Sequence, residues 1–310
     1  MDRYNGILPV IKERGLVSHD LIYRLRRILG QQKVGHTGTL DPMASGLLLI
    51  CLGRATKLTQ FLSDWDKWYR AEITLGWVSD TLDAAGHIEK GGDVPVLTPD
   101  DLRTVLTRFT GSITQTVPMY SAVKVDGREL YKYARQGQTM ETPSRRVEIK
   151  SLTVLSYDAP RLTIDIRCSK GTYIRTLADD IGKEIGCGAH LSALERLAVG
   201  PFEAARALTL GDVDAHHRDG TLSTFVRTIE TVLEFPLVVI ADPVAATIRN
   251  GGVPGVGDVV SRRGRIETGQ LFSLADQRGE ILAIGRATCD LAAPAAGTPN
   301  DFFSYVRVLV

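Results

Sequence analysis

The sequence predicts an α+β protein in which a mixed sheet core with flanking helices is followed by a small C-terminal β domain. Three observations predict it. Through about residue 231, stretches with apolar residues every third and fourth position are interleaved with alternating or continuous apolar runs, the marks of helices and strands. From about residue 232 the chain changes to short apolar strands divided by Gly-rich turns such as Gly251-Gly252-Val253-Pro254-Gly255. The 310 residues, 44% hydrophobic and 24% charged, are enough to bury a large core and too many for one compact unit.

Taken in order, Ser18 is expected to cap a helix whose inner face is Leu21, Ile22, Leu25, Ile28 and Leu29 and which Gly30 ends. Its outer face is basic through Arg24 and Arg27. The stretch from Gly35 to Leu52 follows, polar and Gly-punctuated at first, then continuously apolar from Leu47 to Leu52. It reads as an exposed loop feeding a buried strand. The loop gathers His36, Thr37, Thr39 and Asp41, residue types suited to positioned chemistry on a rigid base. Asp41-Pro42 is also ordinary turn chemistry, and His36 taken alone reads as a surface histidine. Ala55, Leu58, Phe61, Leu62 and Trp65 trace a second amphipathic helix. Tyr69, Ala71, Ile73 and Leu75 alternate as a half-buried strand, with Tyr69 either facing a cleft or simply packed in the core.

Residues 79 to 97 lack periodicity and read as loop. Thr98-Pro99-Asp100-Asp101 starts a helix with Leu102, Val105, Leu106 and Phe109 inward. The segment from Val117 to Gly127 leads to a short helix holding Leu130, Tyr131, Tyr133 and Ala134. Between 120 and 150 stand seven Lys or Arg, four acids and three tyrosines, a mixture suited either to phosphates and unstacked bases or to a plain surface excursion. Leu162, Ile164, Ile166 and Cys168 alternate in a strand that runs through Ser169-Lys170-Gly171-Thr172-Tyr173-Ile174-Arg175 into a helix. Lys170 and Arg175 make that turn a candidate anion site. The last strands fall at Leu237 to Ile240, Val259-Val260, Gln270 to Leu274, Ile281 to Ile284 and Ser304 to Leu309.

Composition narrows the classes. The net charge is only +1, yet residues 12 to 33 are basic and residues 80 to 103 acidic, so a neutral total conceals an uneven surface. Met1 to Gly6 is polar, without a secretory signal, and no apolar run approaches a membrane span. Cys51, Cys168, Cys187 and Cys289 lack C-x-x-C spacing, which with the missing signal suggests a reducing cytoplasm. Neither phosphate-loop nor dinucleotide glycine motif occurs, nor a G-x-S-x-G elbow. His87-Ile88-Glu89 lacks the P-C-x-x-C of a zinc deaminase, and Cys187 with His190 is an incomplete metal pair. A cofactor-free carboxylate site in a protein with basic, aromatic-rich loops remains.

The run Gly35-His36-Thr37-Gly38-Thr39-Leu40-Asp41-Pro42, with Ala44-Ser45-Gly46-Leu47-Leu48 and Gly53-Arg54-Ala55-Thr56-Lys57, resembles the central motif of the TruB family, the tRNA pseudouridine-55 synthases. The resemblance continues through Tyr69, Asp80-Thr81-Leu82-Asp83-Ala84-Ala85-Gly86, Pro118-Met119-Tyr120-Ser121-Ala122-Val123-Lys124, Leu130-Tyr131 and Ala134-Arg135. It then takes in residues 169 to 175, Gly188-Ala189-His190-Leu191 and Gly200-Pro201-Phe202, in order over roughly residues 5 to 205. Three departures stand out. Lys12-Glu13 replaces the usual Lys-Pro, Ser79 stands where Thr is usual, and Glu195 where a basic residue often precedes Arg196.

The resemblance implies a pseudouridine synthase catalytic domain over residues 1–231, with an RNA-binding insertion at about 108–150, and a PUA-like β domain over 232–310. The implied activity is isomerisation of the T-loop uridine, position 55, of tRNA to pseudouridine by base flipping, with neither cofactor nor metal. It implies a cytoplasmic monomer whose partner is the tRNA T-arm, with no protein partner and no membrane. Asp41, Tyr69 and Arg175 would be catalytic, Arg175 pairing with Asp41 and Tyr69 stacking on the base. His36 would fill the vacated stack, with Thr37 beside it. Lys12, Lys57, Asp83, Tyr120, Lys124, Lys170 and Tyr173 would complete the RNA contacts. A tRNA-binding folding chaperone with incidental or no catalysis would share the basic loops but would not need Asp41, Tyr69 and Arg175 together.

Overall fold

The computed structural model describes residues 3–248, 250–291 and 302–310. The chain opens with β1 (Gly6–Lys12), α1 (Ser18–Leu29), β2 (Val34–His36) and β3 (Ser45–Leu52). A 3-10 segment, Gly53–Leu58, runs into the single turn α2 (Thr59–Leu62), and β4 (Lys67–Leu75) follows. Then come the hairpin β5 (Trp77–Ser79) and β6 (Ile88–Lys90), α3 (Pro99–Thr107) and β7 (Gly111–Thr116). A second hairpin, β8 (Lys124–Val125) and β9 (Arg128–Glu129), carries α4 (Leu130–Ala134). The long strands β10 (Ser144–Asp158) and β11 (Arg161–Cys168) precede α5 (Ile174–Ile185), β12 (Ala189–Val199) and β13 (Phe202–Glu203). After α6 (Leu210–Arg218) and α7 (Ile229–Val232) the chain forms β14 (Leu237–Ile240), α8 (Asp242–Ile248), β15 (Val259–Arg263), β16 (Leu271–Ala275), β17 (Ile281–Ala287) and β18 (Phe303–Val308).

Among the described residues, nine strands form one sheet in the order β1-β3-β12-β4-β11-β10-β7, with β2 added to β3 and β13 to β12. All its pairings are antiparallel except β3 with β12. A second, five-stranded sheet has the order β15-β14-β16-β17-β18. The chain is thus α+β, as its sequence predicts. No helix among the described residues is long and apolar enough to cross a membrane.

The continuous apolar run of β3 has a physical reason. Alternate side chains of a strand face opposite ways. Leu48, Ile50 and Leu52 enter a core shared with α1 and α6, while Leu47, Leu49 and Cys51 enter another shared with Leu58, Leu62, Ile229 and the second sheet. Both faces are covered, so no position is polar. A third core lies under α3 and α5, built from Tyr69, Ala71, Ile73 and Leu75 of β4 with Ile164, Ile166, Leu177 and Ile181.

Several local expectations change. Ser18 is the first residue of α1 rather than its cap, because its hydroxyl is engaged with Leu40, 3.0 Å from both its backbone nitrogen and its oxygen. Gly30 does end the helix, in the left-handed conformation at φ 60°. The helix expected over 55 to 65 is only the 3-10 segment and α2. The expected loop over 79 to 97 contains part of the β5–β6 hairpin. Strands β7 and β10 belong to the main sheet, so the segment that leaves it is 117–143, shorter than the expected 108–150. Thr98 and Asp101 form the reciprocal capping box that starts α3.

Candidate active site

Asp41 lies in the loop between β2 and β3, and the loop is staked along its length. The Thr37 N–H donates to the Leu49 carbonyl at 3.2 Å, and Gly15 N–H to that of Pro42 at 2.7 Å. Ser18 holds Leu40, and the buried Arg196 donates from Nη2 to the Gly38 carbonyl at 3.2 Å and from Nε to that of Leu47 at 2.7 Å. The loop is exposed on one side and rigid on the other. Gly46 makes the junction possible, since at φ 104° a Cβ there would sit 2.3 Å from the Arg196 carbonyl oxygen.

Arg175, the second residue of α5, reaches the same place from the opposite direction. Its Nε is 2.8 Å from Asp41 Oδ2 and its Nη2 donates to Oδ1 at 3.4 Å, a two-pronged contact. Nη1 donates to the Thr81 carbonyl and Nη2 also to that of Tyr120, while Asp83 Oδ2 lies 3.6 Å from Nε. The Arg175 side chain is 5% exposed and Asp41 35%. The cation is therefore walled in by two carboxylates and two carbonyls, as a buried charge requires, while the carboxylate still opens toward solvent.

Tyr69 projects from β4 into the same cavity, of about 390 Å³, which Thr37, Tyr120, Ser121, Tyr173 and Leu194 also line. Burial raises its phenol above the ordinary value, against the opposing pull of Arg196, so it is a protonated hydroxyl at neutral pH. Burial lowers His36, and Arg196 and His19 add to the effect, leaving a neutral imidazole whose Nδ1 accepts from the Gly38 N–H. A larger groove of about 920 Å³ opens beside Trp65, Trp68 and Arg167. Of the carboxylates that line it, Asp64 and Asp66 pair with surface Lys170 and Lys150, and the carboxylate gripped by a buried guanidinium beside an inward tyrosine is in the smaller cavity.

The other expected RNA contacts divide. Tyr120 and Tyr173 line the cavity, and the Gln115 side chain holds Tyr173 by bonding both its N–H and its carbonyl. Lys124 is exposed on the hairpin of the excursion, and Lys170 is exposed but engaged with Asp64 at 2.7 Å. Lys57 lies apart, its ammonium at the Val310 carbonyl. Lys12 is fully buried rather than on an RNA surface, donating to the Glu13 and Leu16 carbonyls, and burial pulls it down to about 8. Asp83 is buried as well, accepting from Thr81 and from the Ala85 N–H beside Arg175, so it acts on the site through Arg175.

Gln115 and Lys67 are absent from the sequence reading, and Arg196 enters it only as a motif position with no role. Arg196 ties the Asp41 loop to β3, Gln115 seats Tyr173, and Lys67, brought down to about 8 chiefly by burial and then by Arg196, lines the cavity. Arg196 left a signal, since it stands two residues after Leu194 in inward phase with Glu195 exposed between them. Among the described residues no group of three or more His, Cys, Asp or Glu could hold a metal ion.

Comparison with known proteins places this geometry. Residues 26–174 match the model of the TruB family pseudouridylate synthase N-terminal domain, and residues 175–234 that of the tRNA pseudouridylate synthase B C-terminal domain. The tRNA pseudouridine synthase B of Listeria welshimeri is 46% identical over 256 residues, 80% of this chain and 84% of that protein. The protein of the same name from Caldanaerobacter subterraneus is 40% identical over 291 residues, 94% and 98% of the two chains. A solved chain from a Cbf5-Nop10-Gar1 complex superposes with a TM-score of 0.76 at 27% identity, covering 98% of this chain and 85% of its own.

Proposed function

The chain belongs to the TruB family of pseudouridylate synthases, and from that premise we propose that it isomerises uridine 55 in the T-loop of tRNA to pseudouridine, with Asp41 as the acting carboxylate. That it is a pseudouridine synthase acting on tRNA follows from its relatives. The position in the tRNA and the chemistry are our reading. One observation carries it: a partly exposed carboxylate, gripped at both oxygens by a buried guanidinium, opens into a cavity walled by an inward-facing tyrosine.

The reaction breaks the bond from N1 of uracil to C1′ of ribose, forms one from C5 to C1′, releases the C5 proton and protonates N1. No electrons are gained or lost overall. The Asp41 carboxylate either attacks C1′, assists departure of the base, or removes the C2′ proton to give a glycal, and all three need it fixed near the sugar. Arg175 supplies that fixing, and Tyr69 supplies a face for the turning base.

A uridine in a folded loop must first be turned out, at a cost of about a few kcal/mol. His36 and Thr37 sit at the entry to the Asp41 loop, and a neutral imidazole fills a vacated stack without burying charge. Lys124 and its neighbours on the 117–143 excursion offer cations to the backbone.

The test is tritium release from C5-labelled uridine in T-arm RNA. Wild type is expected to release tritium, whereas Asp41→Asn releases none while retaining RNA affinity. Release by Asp41→Asn at the wild-type rate would remove the assignment.

A further inference from the structure

Three buried side-chain atoms have no hydrogen-bond partner among the described residues: Arg26 Nε, Ser273 Oγ and Ser121 Oγ. Ser121 is the one that lines the cavity with Asp41, Tyr69 and Arg175. Buried hydroxyls ordinarily find partners, because removal from water without one costs free energy. The residue is 5% exposed, so its hydroxyl is largely removed from water, and the backbone around it is held in place. The Tyr131 N–H donates to the Ser121 carbonyl at 3.0 Å and the Leu130 N–H to that of Val123 at 2.8 Å. On the other side, Arg175 Nη2 donates to the Tyr120 carbonyl at 2.9 Å.

That Nη2 is the nitrogen that also bonds Asp41 Oδ1. Ser121 therefore lies one residue beyond the far side of the guanidinium that holds the carboxylate. With the sugar carbon at Asp41, the opposite end of the nucleotide is the outer edge of uracil, which carries two carbonyl acceptors and an N–H donor. A hydroxyl both donates and accepts, so either kind of group satisfies it.

We propose that Ser121 is a base-binding residue whose hydroxyl hydrogen-bonds the edge of the target uracil, the ligand supplying a partner that none of the described residues supplies. This rests on the functional reading above. It makes the 117–143 excursion a part of the base pocket as well as a surface for RNA.

The test compares Ser121→Ala and Ser121→Thr with wild type for thermal stability, for kcat/KM on T-arm RNA, and for affinity toward the same RNA with 2′-deoxyuridine at the target. Removing a hydroxyl that no described residue hydrogen-bonds leaves the melting temperature unchanged or raises it. Ser121→Ala is expected to lower kcat/KM about 5- to 100-fold, the loss of one desolvated hydrogen bond, and Ser121→Thr to recover part of that. The Ala variant should lose affinity for the deoxyuridine RNA by the same factor as for the all-ribose RNA. Unchanged kcat/KM, a fall in melting temperature parallel to the loss of activity, or a defect that vanishes with deoxyuridine would each overturn it. A wild type that makes no pseudouridine in T-arm RNA would instead overturn the functional reading beneath it.

Discussion

The guanidinium of Arg175 contacts Asp41 through two nitrogens, the Thr81 and Tyr120 carbonyls through Nη1 and Nη2, and lies against Asp83. A lysine keeps the charge but offers a single nitrogen, which cannot span both carboxylate oxygens and both carbonyls. Arg175→Lys is therefore expected to cost about 2–4 kcal/mol in transition-state stabilisation, at about 1.5–3 kcal/mol for each charged hydrogen bond lost. Single-turnover conversion of T-arm RNA measures this, and near-normal rates would refute the orienting role. At this scale the sequence is legible where a motif singles out a residue, as for Asp41, Tyr69 and Arg175, which the fold brings to one cavity. It is least legible for charges whose burial the pattern hides. Lys12 looks like one more cation of a basic stretch, yet it sits where β1 pairs with Gly46 and turns its ammonium onto the backbone of the next loop. Asp83 looks like loop chemistry, yet it lies against a cation brought from α5.

Elements were legible where one period holds from end to end. Helices α1, α3 and α5 keep their apolar spacing throughout, and β3 is apolar because cores lie on both its faces. The long strands β10 and β12 escaped notice because each changes register against its partner. A bulge between Ile149 and Ser151, and others between Leu191 and Ala193 and between Arg196 and Ala198, reverse which residues face the core and break the alternation. The Asp41 loop depends on such elements through contacts the sequence does not announce. Ser18 opens α1 and bonds the backbone of Leu40, one residue before the carboxylate. Ser18→Ala leaves buried groups of Leu40 unsatisfied, which is expected to cost about 1–3 kcal/mol of stability. It should also lower kcat more than RNA affinity, because the loop's position is what loosens. Denaturant titration alongside kcat and KM checks both, and a variant as stable and active as wild type would show that Leu40 is held without the serine.

In the whole molecule the two sheets share apolar ground. Ile281 and Ile284 of β17 and Leu309 just beyond β18 pack into the same cluster as Leu47, Leu49 and Cys51 of β3, and Arg54 pairs with Glu280 across the junction. The change of pattern near residue 232 revealed a second β unit but gave no sign of this docking, because the residues that make it are scattered over four separate stretches of chain. The consequence concerns cooperativity. If the second sheet covers one face of β3, then losing it uncovers the strand that supports the Asp41 loop, and neither part can unfold without destabilising the other. Ile284, fully buried at the contact, is the place to test this. Ile284→Ala should cost about 2–5 kcal/mol, the usual range for emptying a buried aliphatic site. Calorimetry should show a single transition moved to lower temperature, with pseudouridine formation lost along the same curve. Two separated transitions, with only the smaller one lowered and activity following the larger, would show that the sheets unfold independently and that β3 keeps the carboxylate in place without its neighbour.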